Sequence, residues 1–437
     1  MKGLLDKINA KLNTQGGFLK AISVLVGGTA VAQLISILAL PFLTRIYGPE
    51  SFSVLAVYVS LLTMLTTIAG MCLEYAIPLP KSRIIAAALC ILSMISVIFF
   101  SILSVVIVLV ASDIFNILTH DKVSSYLWFI PFGVLLVGMY NSLQYWNVRH
   151  KRFGLISKTK VTQGCCGTGI KLGSGYLFGG WIPGLILGQI IMQGAGLISF
   201  SLSLIKNDWQ VFRSIRLNHL KIAFNKYKKF PQFTTLEVFA NTGSIQIPIL
   251  LIAYFSVGKE AGYLMIAMQL LSAPMSLVNS AISQVYLAEA AQYFNQGKLR
   301  DFTVKIIVNL VKVALIPFLA IVIIAPIIIP YFLGAEWRRT GELISWLIPG
   351  FFMQFITSPI STSLYISGNQ KIAFYLQIVG LVLRVGCVCF AALFANNSIV
   401  EFYAISGFIF YAIYLVVILI VLNKSVVNLN KRLLEDE

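Results

Sequence analysis

The stretch Ile306–Phe332, IIVNLVKVALIPFLAIVIIAPIIIPYF, runs for 27 residues with a single charge, Lys312. About 20 apolar residues suffice to carry a helix across ~30 Å of hydrocarbon, and a run this long has no place on a water-soluble surface. Eleven more runs accompany it: Ile22–Leu43, Ser53–Met71, Ile84–Ala111, Ser125–Trp146, Val161–Phe178, Ile182–Leu204, Thr234–Phe255, Ala261–Val285, Leu343–Ile366, Ala373–Ala395 and Phe402–Leu422. The fifth, Val161–Phe178, is the most dilute, because Thr162, Gln163, Lys171 and several glycines interrupt it. The pattern predicts an all-α polytopic membrane protein with about twelve transmembrane helices.

Composition agrees. Of 437 residues 58% are hydrophobic and 11% charged, and the mean hydropathy is +0.87, whereas a soluble domain is about a quarter charged. The apolar runs are continuous and not alternating, which excludes a transmembrane β-barrel. No polar stretch is long enough for a soluble catalytic domain. The six cysteines, Cys72, Cys90, Cys165, Cys166, Cys387 and Cys389, sit in or beside apolar runs and read as small packing residues without metal-ligand spacing. Neither a metal nor another cofactor is expected.

The formal charge of +17 is explained by its placement. With both termini cytoplasmic, 25 of the 33 Lys and Arg residues fall in inner segments, and 5 in outer loops: Arg45, Lys122, Lys259, Arg338 and Arg339. Inner loops of membrane proteins carry such an excess, so the basic balance reflects orientation and anionic lipid, not nucleic acid. Ala30-Val31-Ala32 resembles a cleavage site, yet hydrophobicity continues to Leu43, as in a helix that stays in the membrane. Ahead of it, Leu4, Leu5, Ile8 and Leu12 share one helical face flanked by Lys7 and Lys11, which fits a surface helix over Lys2–Asn13.

The two halves of the chain resemble each other. Gly48-Pro49-Glu50-Ser51-Phe52-Ser53 follows the first run and Gly258-Lys259-Glu260-Ala261-Gly262-Tyr263 follows the seventh, while Ile130-Pro131 of the fourth run recurs as Ile348-Pro349 of the tenth. Six runs per half preserve direction, so the repeat is parallel, about an axis along the membrane normal. The expected division is an N-terminal lobe over 1–205, a basic connector over 206–229 with Trp209, Phe212, Arg216 and Leu220 at helical spacing, and a C-terminal lobe over 230–437. Repeated halves suit an alternating-access transporter with its substrate path between them.

Lys171 and Arg384 lie near the midpoints of the fifth and eleventh runs. A mid-bilayer cation costs about 2.5–3.5 kcal/mol on insertion scales, so it faces a bundle interior or a wet cavity. Lys312 stands near the inner end of its run, where it either snorkels to the headgroups or joins the same cationic set. Acids in or beside the runs are few, Glu74, Glu237 and Glu401 among them. Cations without carboxylates point to an anionic substrate. Glu237 is the candidate for ion coupling, and Gln33, Asn241, Gln246 and Gln269 are amides suited to a polar ligand such as a sugar. His120, His150 and His219 read as surface residues.

Several motifs carry a family resemblance: Gly27-Gly28-Thr29-Ala30-Val31-Ala32-Gln33-Leu34 running into Pro41, then Arg45-Ile46-Tyr47-Gly48-Pro49-Glu50. Glu74-Tyr75-Ala76-Ile77-Pro78-Leu79-Pro80-Lys81, Tyr145-Trp146 leading to Arg149, and Phe332-Leu333-Gly334-Ala335-Glu336-Trp337 belong with them. In this order they resemble the polysaccharide-transporter branch of the multidrug/oligosaccharidyl-lipid/polysaccharide exporter superfamily, and within it the Wzx-type O-antigen flippases. The resemblance implies two six-helix lobes around a central cavity, as in MATE-like exporters. It also implies a non-enzymatic carrier in the bacterial inner membrane for an oligosaccharide on undecaprenyl pyrophosphate, serving lipopolysaccharide biosynthesis.

Arg45, Lys81 and Arg149 match the family motifs, so the expected substrate-binding set is Lys171, Arg384, Lys312, Arg45, Lys81, Arg149, Gln33, Asn241 and Gln269. Expected partners are the lipid-linked oligosaccharide, membrane lipids, an O-antigen polymerase and a chain-length regulator. Peptidoglycan-precursor flippases carry an arginine in the first helix where Gln33, Leu34 and Ser36 stand here, which argues against that branch. The alternatives are another exporter of the superfamily, such as a drug/cation antiporter, and a membrane polysaccharide polymerase.

Overall fold

A computed structural model describes residues 18–110, 124–256 and 258–435; the segment Lys2–Asn13, His120 and Lys122 lie outside them. Among the described residues every regular element is helical, as it must be where lipid leaves no water to satisfy an open backbone. In chain order the helices are α1 (Phe18–Ile46), α2 (Pro49–Ala69), α3 (Leu73–Ala76), α4 (Arg83–Val110), α5 (Phe129–Arg149), α6 (Phe153–Leu177), α7 (Ile182–Gly194) and α8 (Gly196–Asn207). They continue as α9 (Trp209–Arg213), α10 (Leu217–Tyr227), α11 (Thr235–Phe255), α12 (Glu260–Asn295), α13 (Leu299–Leu333), α14 (Arg338–Ile360), α15 (Ser363–Ile366), α16 (Gln370–Phe394) and α17 (Ile399–Glu435).

Among the described residues ten helical segments are long and apolar enough to cross a membrane, with α7 and α8 forming one span broken at Ala195. The fourth and fifth runs are not among the ten. They form α5 and α6, helices of 21 and 25 residues, about 31 and 37 Å long at 1.5 Å per residue. Their length spans; polar residues lower their hydropathy.

The chain divides into two compact units, one holding the residues up to Tyr47 together with Leu61–Phe239, the other Gly48–Ser60 and Ala240–Glu437. In the first unit α6 packs along α1 and α7, and α4 packs on α5 and α10. Close approach depends on glycine: a Cβ on Gly164 would stand 3.1 Å from Ala32 Cα, and one on Gly28 would fall 2.8 Å from Ser157 Cα. Without a hydrophobic drive between helices in lipid, such small-residue contacts supply the packing. The break after α2 places Met71 and Cys72 both at φ 51°, a left-handed conformation costing non-glycine residues roughly 1 kcal/mol or more each.

The expected single amphipathic pattern of the connector is split. Trp209 and Phe212 lie on α9, Leu220 on α10, and extended Arg216 precedes α10, its N–H donating to His219 Nδ1 at 3.1 Å. Phe212 and Leu220 both reach the core formed by Leu89, Trp146 and Phe200, whereas Trp209 is exposed.

In the second unit α14 is central, packing on α12, α13 and α17. Helix α13 buries Leu310, Ala314, Ala325, Ile329 and Leu333 and exposes Ile316, Ile323, Ile327 and Tyr331, the division of a helix with one face to protein and one to lipid. Arg339 ties three helices: its Nε donates to Glu260 Oε1 at 3.2 Å and its Nη2 to Glu401 Oε1 at 2.6 Å. The repeated segments meet here, since a Cβ on Gly262 would overlap the Pro49 backbone.

Candidate substrate-contact residues

Helix α6 carries Lys171 into the interior of the first unit, leaving 8% of it exposed. Gly188 of α7 makes the room, because a Cβ there would overlap Lys171 Cγ. Lys171 Nζ donates to Gln189 Oε1 at 2.5 Å and lies 3.8 Å from Met192 Sδ. The Tyr47 hydroxyl donates to the Lys171 carbonyl at 3.0 Å. The ammonium is therefore met by an amide oxygen from the neighbouring helix, with no carboxylate.

Helix α16 buries Arg384 in the second unit, 4% exposed. Its Nη1 donates to the carbonyl and the hydroxyl of Ser244, each at 3.4 Å. The guanidinium carbon lies 4.9 Å from the Phe410 ring centroid and 5.4 Å from that of Tyr411, and such ring faces offset part of the cost of a desolvated cation. Nε, buried, has no hydrogen-bond partner. Among the described residues neither Lys171 nor Arg384 forms an ion pair. Contrast Arg152, which donates to buried Asp208 at 2.7 Å.

The other expected residues scatter. Asn241 lies one turn before Ser244, its backbone carbonyl accepting from Ser244 Oγ at 2.7 Å, and its own side chain is exposed. Arg149 is half-buried and donates to the carbonyls of Ile77, Pro78 and Lys81 at 3.2–3.3 Å, holding the chain after α3. Arg45, Lys81 and Lys312 are exposed, and Gln33, Gln269 and Glu237 half-buried. Within the second unit the hydrogen bonds of Arg384 go to Ser244 and not to Lys312 or Gln269.

Sequence reasoning passes over three features. Gln189 gives Lys171 its acceptor, and an 18-residue separation across a turn carries no periodic signal. Phe410 and Tyr411 look like ordinary apolar positions until α17 folds beside α16. Glu74, noted only as a scarce acid, is 6% exposed and accepts from Ser93 Oγ at 3.4 Å. Burial pushes its carboxyl up to about 7, more than its own backbone bond and Ser93 lower it.

The sequence profile of a family described as polysaccharide biosynthesis protein matches residues 42–342. No curated protein matches the sequence. Among solved structures, the lipid II flippase MurJ in an inward closed conformation superposes with a TM-score of 0.66 at 15% identity, covering 94% of this chain and 93% of that one. A transporter of the multidrug/oligosaccharidyl-lipid/polysaccharide superfamily from Pyrococcus furiosus gives 0.63 at 14% identity over 93% and 96%. A MATE transporter of Vibrio cholerae gives 0.60 at 9% identity over 94% and 96%. At these identities the likeness is one of fold.

Proposed function

The chain belongs to the family of polysaccharide biosynthesis proteins, and we propose on that premise that it is a flippase for an oligosaccharide carried on undecaprenyl pyrophosphate, an O-antigen repeat unit. It is a multi-pass membrane transporter of the superfamily fold. The finer reading adds the bacterial inner membrane, cytoplasmic termini, alternating access, and an O-antigen polymerase and chain-length regulator as partners. No catalytic step is part of it.

The observation that carries the reading is Arg384. A guanidinium presents five donors in a planar fork suited to phosphate oxygens, and here it is buried without a carboxylate, with one donor unpaired. An exporter of cationic drugs would need the opposite sign at such a position. Ring faces and a serine hold the cation firmly enough to survive desolvation yet leave it able to release an anion. The excess of Lys and Arg in the expected inner segments supports cytoplasmic termini, on the side where lipid-linked repeats are assembled.

The test is surface polysaccharide in a strain lacking the gene, resolved by gel at single-repeat resolution. The expected result is complete loss, with lipid-linked repeats held on the cytoplasmic face and restored by the wild-type gene. Single repeats still reaching the surface acceptor would make the protein a polymerase, and an unchanged ladder would transfer the weight to drug export.

A further inference from the structure

The junction of α12 and α13 holds a second polar site, away from Arg384. Helix α12 ends in a tight turn: Gly297 sits at φ +69°, the Lys298 N–H donates to the Tyr293 carbonyl at 2.9 Å, and the Gly297 N–H to the Phe294 carbonyl at 3.0 Å. This is the left-handed glycine stop that fixes the exit of a helix, and it turns the chain from the end of α12 into the start of α13. Between them lies an open cavity of about 350 Å³ bordered by Glu289, Tyr293, Lys298, Asp301, Lys305 and Asn309. Small-ligand clefts begin near this size, roughly 300 Å³.

Its wall is aromatic. Tyr293 and Phe302 stack with centroids 4.3 Å apart and planes 10° from parallel, and Tyr286 backs Phe302 at 5.6 Å and 18°. The Tyr286 hydroxyl is fixed to Thr303 Oγ1 at 2.8 Å. Around this wall stand two ammonium groups, two carboxylates and an amide. Among the described residues Glu289, Lys298 and Lys305 form no ion pair, and Asp301 has only a loose one with Arg300 at 3.9 Å. The corresponding start of the third helix in the first unit, Lys81-Ser82-Arg83, is arranged otherwise. There Glu74 turns inward to Ser93 and Arg149 takes up the carbonyls of Ile77, Pro78 and Lys81.

We propose that this cavity is a sugar subsite taking one pyranose of the transported glycan, a neutral or amino-bearing residue in preference to an acidic one. Tyr293 offers its ring to the C–H face of the sugar, while the carboxylates accept from hydroxyl or amino groups and the lysines and Asn309 donate to ring-substituent oxygens. A pyrophosphate would meet Glu289 and Asp301 as well as the lysines, and an acyl chain would bury charges without partners. The inference rests on the flippase reading, whose sidedness puts Lys298 and Lys305 on the cytoplasmic face, where the loaded substrate arrives.

The experiment has two arms. The full chain in lipid nanodiscs is presented with free N-acetylglucosamine, glucosamine, glucuronate and inorganic pyrophosphate, with binding read by saturation-transfer NMR. Binding of the neutral and amino sugars is expected, weakened about fivefold or more by Tyr293→Ala and by Glu289→Gln, a loss of about 1 kcal/mol. No sugar signal from the wild type overturns the proposal, as does equal binding by both variants when they elute as monodisperse protein. Pyrophosphate binding abolished by Lys305→Gln would mark a phosphate or lipid-headgroup site instead. In cells, Tyr293→Ala should cut surface polysaccharide in a deletion strain. If the deletion itself leaves polysaccharide unchanged, the flippase reading fails, while the sugar-binding arm still decides the subsite.

Discussion

The first unit buries Lys171 against an amide, and the second buries Arg384 against rings. They occupy the fifth and eleventh apolar runs and look alike in the sequence, yet the solvent each has lost is replaced differently. Lys171 has a 2.5 Å bond from its Nζ to Gln189 Oε1, with glycine-lined space cut to its shape. Arg384 has two 3.4 Å bonds to one serine, two ring faces, and a buried Nε without an acceptor. Arg152 completes the series, with a carboxylate at 2.7 Å. On the reading proposed above, the more completely compensated a buried cation is, the more it serves the fold, and the less compensated it is, the more bonding capacity it keeps for a ligand.

Arg384→Ala tests that reading most severely. Transport, measured as surface polysaccharide at matched membrane abundance, is expected to fall more than tenfold, as loss of a charge-assisted contact of about 1.5–3 kcal/mol implies. Arg384→Lys should restore only part of it, because an ammonium keeps the charge but loses the planar fork and much of the ring stacking. Wild-type polysaccharide from Arg384→Ala would make the arginine a packing residue and remove the asymmetry between the units.

Lys171→Met probes the other side. The replacement keeps length and apolar contact with Met192 while removing a buried charge, so the lost bond and the relieved desolvation largely cancel. Transport should stay within about threefold of wild type. Gln189→Leu should be worse than Lys171→Met, since it strands the ammonium, and the double variant should recover stability in a double-mutant cycle. A tenfold loss of transport from Lys171→Met, with the protein intact, would restore the symmetry that the sequence alone suggests.

That symmetry shows how far the sequence reaches. Apolar runs of spanning length locate the helices, as with Ile306–Phe332 inside α13, because bilayer thickness acts on a local window of residues. The mid-run positions of Lys171 and Arg384 likewise announce buried cations. Their compensation is not legible, since Gln189, Ser244, Phe410 and Tyr411 reach them only through tertiary packing. Arg149 shows the same limit: a rim cation by motif, it donates from Nη1 and Nη2 to the carbonyls of Ile77, Pro78 and Lys81, partners that its motif does not announce. The stacked rings of Tyr293 and Phe302 straddle a glycine turn that no periodicity analysis would close.

The fully compensated member of the series gives the smallest effect. Asp208, 2% exposed just beyond α8, accepts from Arg152 Nη1 at 2.7 Å and Trp146 Nε1 at 3.0 Å. Burial alone would raise its pKa, but the bonds from Arg152 and Trp146, with the charge of Arg152, outweigh it and hold the carboxyl below the ordinary aspartate range. A carboxyl depressed in the folded state adds stability that is fully present above its unfolded pKa, about 3.9, and is lost as pH falls through the lower folded value. Asp208→Asn should therefore lower the thermal midpoint of the detergent-solubilised protein at pH 7 by a few degrees, for a cost of about 1–2 kcal/mol. The gap should narrow below about pH 4, and transport at matched abundance should not change. A pH-independent gap would mean that the hydrogen bonds act without the charge. Loss of transport would show that even a carboxylate-paired cation takes part in substrate movement, and that compensation does not sort structural from functional charge in this chain.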